Sequence, residues 1–146
     1  MYEHGMIAPV VALALWTLIM LIWLYATRIP AMRQAKIRPG EATKAQMEAL
    51  PGGASNVANN YNHLHEQPTL FYAICFALQF LDQANDINIG LAWLYVVIRV
   101  AHSLVQATVN VIIVRWLIFM AGSIVLLMLT IHAALATRIV CFSWPF

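Results

Sequence analysis

An uncharged apolar run from Met6 to Ala26 constrains the fold more than any other feature of this sequence. A helix of about 20 apolar residues is long enough to span the hydrocarbon core of a bilayer, which is about 30 Å thick. The chain as a whole is 62% hydrophobic and only 10% charged, whereas soluble domains carry about 25% charged residues. The run is therefore interpreted as a membrane-spanning helix.

Three further apolar segments follow the first one. Because 146 residues suffice for about one domain, the sequence predicts a single all-α domain, a bundle of four transmembrane helices. The predicted helices cover about 6–27, 60–82, 87–109 and 115–137, and a loop covers 28–59.

The distribution of charge predicts the orientation. Five basic residues lie between the first two segments, and Arg115 lies on the same side if all four segments span. By the positive-inside rule, the 28–59 loop and Arg115 face the cytoplasm, and both termini lie on the other side of the inner (plasma) membrane. The net charge of +2 is too small to indicate nucleic acid as a partner.

Polar residues form stripes on two of the predicted helices. Arg99, His102, Gln106 and Asn110 follow one another at i, i+3, i+7 and i+11 on the third segment, so they share one face. The entry to the second segment has the same pattern at i, i+3, i+4 and i+7, with Asn59, Asn62, His63 and Glu66. Faces this polar are expected to meet protein or a cavity rather than lipid.

Two interpretations of these stripes stay open. In the first, Glu66 and Arg99 form a structural ion pair, because an ionisable residue inside a membrane needs a partner. In the second, the stripes line a pocket that opens to the cytoplasm and binds a charged ligand. Arg28, at the rim of this pocket, and Arg115 supply positive charge for a ligand carboxylate. The candidate site residues are Arg28, Asn59, Asn62, His63, Glu66, Arg99, His102, Gln106, Asn110 and Arg115.

A metal or haem site built from His63, His65 and His102 is a weaker hypothesis. His63 and His65 are two residues apart, so they diverge on a helix and cannot both face one metal. No metal is therefore expected. Cys75 and Cys141 have no spacing typical of a metal site, and both are interpreted as small buried hydrophobes.

Two motifs resemble those of a known family. The run NHLHEQP at 62–68 enters the second helix, and RVAH at 99–102 is followed by Asn110 and Arg115. Together with the four segments and the basic loop, they resemble the MAPEG family, the membrane-associated proteins of eicosanoid and glutathione metabolism. The resemblance covers roughly residues 6–137.

The resemblance implies a homotrimer with glutathione, the co-substrate, bound at the cytoplasmic side of each subunit interface. It also implies a glutathione transferase or peroxidase that acts on lipophilic electrophiles. An arginine would stabilise the glutathione thiolate, because a nearby guanidinium lowers the pKa of a thiol, and Arg115 is assigned this catalytic role.

The chain departs from the family pattern at several positions. Glutathione-using members carry Arg-x-x-x-Asn-x-x-Glu at the entry to helix two, and here Asn59 and His63 replace the first two of these residues while Glu66 is retained. Tyrosines on helix three of those members correspond to His102 and Gln106. An alternative function therefore stays open, that of a non-catalytic accessory or scaffold subunit of a larger membrane complex.

Overall fold

The computed structural model describes residues 5–38, 40–51 and 53–139, and these residues form an all-helical protein. The all-α prediction is confirmed for this part of the chain, and Cys141 lies outside it. The helices are α1 (Ile7–Gln34), α2 (Lys44–Glu48), α3 (Ala54–His63), α4 (Gln67–Phe80), α5 (Asp86–Ala107) and α6 (Ile112–Ala136).

Three of these helices, α1, α5 and α6, are long and apolar enough to cross a membrane. Large apolar side chains on their outer faces are left uncovered, for example Ile22 on α1 and Val97 on α5, which are 71% and 62% exposed. Lipid is the environment that suits such faces.

The second predicted helix, 60–82, differs from the structure because it is divided. Its first half belongs to α3, which begins at Ala54, and its second half is α4. Pro68 lies in the first turn of α4 and has no N–H to donate to the carbonyl group of Leu64, so a continuous helix would lack one hydrogen bond there. With 14 residues, α4 is too short to count alone as a membrane-spanning helix.

The predicted 28–59 loop is more ordered than expected. α1 continues to Gln34, and α2 begins with a capping box in which Thr43 and Gln46 bond reciprocally. Ala31, Leu50 and Ala54 bury their side chains together, so the loop packs against the end of α1.

The core has two halves along the length of the bundle, and α4 contributes to one half while α3 contributes to the other. In one half, Phe71 of α4 stacks on Tyr95 of α5, with ring centroids 4.4 Å apart, inside a cluster that also includes residues of α1 and α6. In the other half, Val57 of α3 packs against Met20 of α1 and Ala107 of α5. α4 therefore packs into one half of the core and α3 into the other half.

A close approach joins α5 and α6. A Cβ atom on Gly122 would lie 3.3 Å from Ile98 Cγ2, so the glycine allows the two helices to pack tightly. α5 ends and α6 begins at one end of the bundle, called here the Arg115 end. The opposite end, where α5 begins and α6 ends, is called the His132 end.

Candidate functional site

A cavity of about 250 Å³ opens beside the start of α6 at the Arg115 end. It is called the Arg115 cavity. Its lining residues are His63, Glu66, His102, Ile112, Arg115, Trp116 and Phe119. The structure thus brings together four of the predicted site residues, from α3, the α3–α4 turn, α5 and α6, beside apolar and aromatic walls.

The guanidinium of Arg115 is held by a chain of two amides. Its Nη1 donates to Asn110 Oδ1 at 2.8 Å, and Asn110 Nδ2 donates to Asn56 Oδ1 of α3 at 3.0 Å. Asn110 lies in the turn between α5 and α6 with φ at 48°, a left-handed conformation that asparagine tolerates better than most residues. Sequence reasoning identified Asn110 and Arg115 but missed Asn56, which lies one helical turn before Asn60.

The other polar residues of the cavity differ in exposure. His63 Nδ1 contacts Glu66 Oε2 at 2.8 Å, and both side chains are partly exposed to solvent. His102 is buried, and its ring centroid lies 6.1 Å from that of Phe119. The cavity therefore offers a cation, a histidine–carboxylate pair and a buried imidazole near one another.

Arg99 does not pair with Glu66, so the predicted ion pair is wrong. Arg99 Nη2 donates to the carbonyl oxygen of His63 at 2.9 Å, and Nη1 donates to Gln67 Oε1 at 3.5 Å. The division between α3 and α4 explains this pairing, because it leaves the His63 carbonyl group available to a side chain. Arg99 is 1% exposed and does not line the Arg115 cavity.

Gln67 is the polar residue that sequence reasoning missed here. Besides accepting from Arg99, its Oε1 accepts from the Tyr95 hydroxyl at 3.3 Å, and its Nε2 donates to Ser123 Oγ of α6 at 2.8 Å. Its position beside Pro68 in the EQP sequence was the available signal.

Gln106 is buried outside the Arg115 cavity. Neither its Nε2 nor its Oε1 has a hydrogen-bond partner among the described residues. One turn earlier on α5, Ser103 Oγ accepts from Nδ2 of the buried Asn60. Gln106 is therefore part of a polar layer between α3 and α5, rather than of the wall of the cavity.

Three predicted site residues line a different cavity. Arg28, Asn59 and Asn62 surround a space of about 140 Å³ between α1, α2 and α3, together with Lys44, Glu48 and Ser55. It is called the Arg28 cavity. Within this chain, the single predicted pocket is thus two separate cavities.

The three histidines of the metal hypothesis do not converge. His63 and His102 line the Arg115 cavity, whereas His65 Nδ1 contacts the carbonyl oxygen of Tyr61 at 2.9 Å. In the described part of the chain, no three histidine, cysteine or acidic side chains are arranged to hold a metal ion.

A comparison with known protein families agrees with this all-helical architecture. The family model of the MAPEG family matches residues 6–135, which is most of the chain. The chain belongs to the MAPEG family. Comparisons with curated proteins and with solved structures returned no match. Family membership together with the apolar helices makes this MAPEG protein a multi-pass membrane protein.

Proposed function

We propose that this MAPEG protein is a glutathione-dependent transferase or peroxidase that acts on lipophilic electrophiles. The observation that carries the proposal is the guanidinium of Arg115, which lines an apolar-walled cavity and is held in place by Asn110. A fixed cation in a site of low dielectric stabilises a thiolate far better than a solvated one does. Trp116 and Phe119 supply walls that suit an apolar second substrate.

The proposed reaction begins with deprotonation of the glutathione thiol. The histidine–carboxylate pair of His63 and Glu66 accepts the proton, and Arg115 stabilises the sulfur anion. In the transferase reaction, the thiolate attacks an electrophilic carbon, a carbon–sulfur bond forms, and the leaving group departs with the bonding electrons. In the peroxidase reaction, the thiolate attacks the terminal hydroperoxide oxygen, the O–O bond breaks, and the sulfur becomes a sulfenic acid. The alkoxide leaves and becomes an alcohol by taking the proton that His63 and Glu66 hold. A second glutathione then reduces the sulfenic acid, and glutathione disulfide and water form.

The proposed assembly is a homotrimer, and it gives the Arg28 cavity a role. That cavity carries two basic residues, Arg28 and Lys44, with neutral amides and the single carboxylate of Glu48 beside them. A guanidinium binds carboxylates well, and glutathione has two carboxylates. In a trimer, the Arg28 cavity of one protomer would meet the Arg115 cavity of the next, with both on the cytoplasmic side of the inner membrane.

Titration of glutathione into the detergent-purified protein tests the proposal. We expect wild type to bind glutathione and to develop thiolate absorbance at about 240 nm. Arg115→Ala is expected to lose the thiolate signal. Arg115→Lys is expected to keep part of it, because a lysine retains the charge but not the planar group that bonds Asn110.

The outcome also separates the two functions. If wild type shows no binding at millimolar glutathione while it is folded and homogeneous, the transferase proposal fails. The accessory or scaffold function then takes its place, and it predicts that the protein co-purifies with a larger membrane complex.

A further inference from the structure

The largest of the cavities described here lies at the His132 end, far from the residues assigned to glutathione. Its volume is about 410 Å³, within the range of small-molecule sites. Four polar residues line it, namely Gln83, Asn85, Asn88 and His132, with Ile87 and Leu135 on its apolar side. None of the lining residues is lysine, arginine or an acid, so the cavity has no counterion of its own for an anion.

The hydrogen bonds of Asn88 determine which nitrogen of His132 faces a ligand. Asn88 Nδ2 donates to the carbonyl oxygen of Gln83 at 2.8 Å, and this contact fixes the orientation of the amide. Its Oδ1 contacts His132 Nδ1 at 2.6 Å, and because Oδ1 only accepts, Nδ1 carries the hydrogen. In neutral His132, Nε2 is therefore an acceptor, and no bond to it occurs among the described residues.

The electrostatics of this end favour a cation. α6 ends at Ala136 beside the cavity, and the C-terminal end of a helix carries a partial negative charge. The N-terminal end of α5 carries a partial positive charge, and two groups offset it. Asn85 Oδ1 accepts from the Asn88 N–H, and the carboxylate of Asp86 lies in the first turn. The charged residues next to the cavity in sequence are Asp82, Asp86 and Arg138, so acids outnumber bases.

The surroundings point to a ligand that comes from the membrane. Ile87 and Leu135 are 69% and 48% exposed, and they lie at the ends of two membrane-spanning helices. An acyl chain can pack along them while the headgroup enters the cavity. A primary ammonium has three N–H donors, which match His132 Nε2 and the amide oxygens of Gln83 and Asn85.

We propose that the His132 cavity binds a phospholipid whose headgroup ends in a primary ammonium. The inference does not depend on glutathione binding, because the two sites lie at opposite ends of the bundle.

Native mass spectrometry of the detergent-purified full chain tests this proposal. The protein is given equal amounts of phosphatidylethanolamine, phosphatidylcholine and phosphatidylglycerol with identical acyl chains. We expect at least about tenfold more phosphatidylethanolamine than phosphatidylcholine to be retained, because the quaternary headgroup has no N–H to donate. Equal retention of these two lipids, or preferred retention of phosphatidylglycerol, would overturn the proposal.

Substitutions in the His132 cavity test whether phosphatidylethanolamine binds there. His132→Leu is expected to lower phosphatidylethanolamine retention to the phosphatidylcholine level, whereas His65→Leu, at the other end, is expected to leave it unchanged. Ala136→Phe fills the cavity and keeps the bond between His132 and Asn88, so it tests the space separately from the histidine. Unchanged retention in both cavity variants contradicts the proposal.

Soluble ethanolamine distinguishes a lipid from a free amine. If the lipid is the ligand, millimolar ethanolamine is expected to displace little of the bound phosphatidylethanolamine, because the acyl chains contribute to its affinity. Complete displacement would make a free amine the ligand and would overturn the assignment to a lipid.

Discussion

At the scale of single residues, two arginines of this protein have opposite surroundings. Arg99 is buried and bonds to the His63 carbonyl and to Gln67. Arg115 lines an open cavity, and its Nη1 bonds to Asn110. Only Arg115 can therefore meet a ligand in the cavity, while Arg99 holds together the place where α3 and α4 meet.

The role of Asn110 is tested by two substitutions that separate its backbone from its side chain. Asn110→Gly keeps the left-handed conformation but loses both amide hydrogen bonds. Asn110→Ala loses the same bonds and adds backbone strain of about 1–2 kcal/mol. We expect the apparent unfolding temperature to fall in the order wild type, glycine variant, alanine variant, as measured by thermal unfolding in detergent.

The glutathione titration provides the second measurement on these variants. Both are expected to bind glutathione equally weakly, because both release Arg115 from its support. Wild-type affinity in the glycine variant would show that Arg115 needs no such support.

Gln106 leads to a prediction about stability. Its two amide atoms are buried without partners among the described residues, and a buried unpartnered polar group costs about 1–3 kcal/mol. Gln106→Met is similar in shape and removes both groups, so we expect a higher unfolding temperature. The matched control is Gln67→Met, which removes a side chain with three hydrogen bonds and is expected to lower it. A fall for Gln106→Met as large as that for Gln67→Met would contradict the prediction.

At the scale of elements, the long apolar runs made α1, α5 and α6 predictable from the sequence. A membrane helix must satisfy its own backbone, so its length and composition nearly determine its structure. The division of the predicted second helix was not located, because it depends on a tertiary bond from Arg99 as well as on Pro68. The same bond explains the error about Glu66, whose partner is His63, three residues earlier in the chain.

Two prolines test how the position of a proline within a helix affects the free energy of unfolding. Pro68 lies in the first turn of α4, where its ring fits the helix, whereas Pro30 lies inside α1 and removes an internal hydrogen bond. We expect Pro68→Ala to lower the free energy of unfolding by about 0.5–1 kcal/mol, because the unfolded chain gains freedom. Pro30→Ala is expected to raise it, because the lost helix bond is restored.

Unfolding in increasing concentrations of a denaturing detergent measures both proline variants on one scale. Changes of the same sign in the two would show that helix position does not control the effect. A higher free energy of unfolding for Pro68→Ala would mean that Pro68 strains the junction between α3 and α4 instead of stabilising it.

At the scale of the whole molecule, the predicted pocket proved hardest to anticipate. The sequence predicted His63 and Glu66 beside His102 and Arg115, and these four residues line one cavity. The prediction also assigned Arg28, Asn59 and Asn62 to the same space, although they line another cavity of the chain. Periodicity identifies which residues share a helix face but not which neighbour that face meets, so one polar cluster in the sequence became two in the protein.

Mixed assemblies test whether two protomers build one glutathione site. Arg28→Ala and Arg115→Ala are each expected to abolish high-affinity binding when expressed alone. Co-expression places an intact Arg28 next to an intact Arg115 at about one quarter of the interfaces of a randomly mixed trimer, because each of the two neighbours must be the right variant. Binding of about one quarter of the wild-type amount of glutathione is therefore expected. If both arginines act within one protomer, every protomer of the mixture lacks one of them, and co-expression restores nothing.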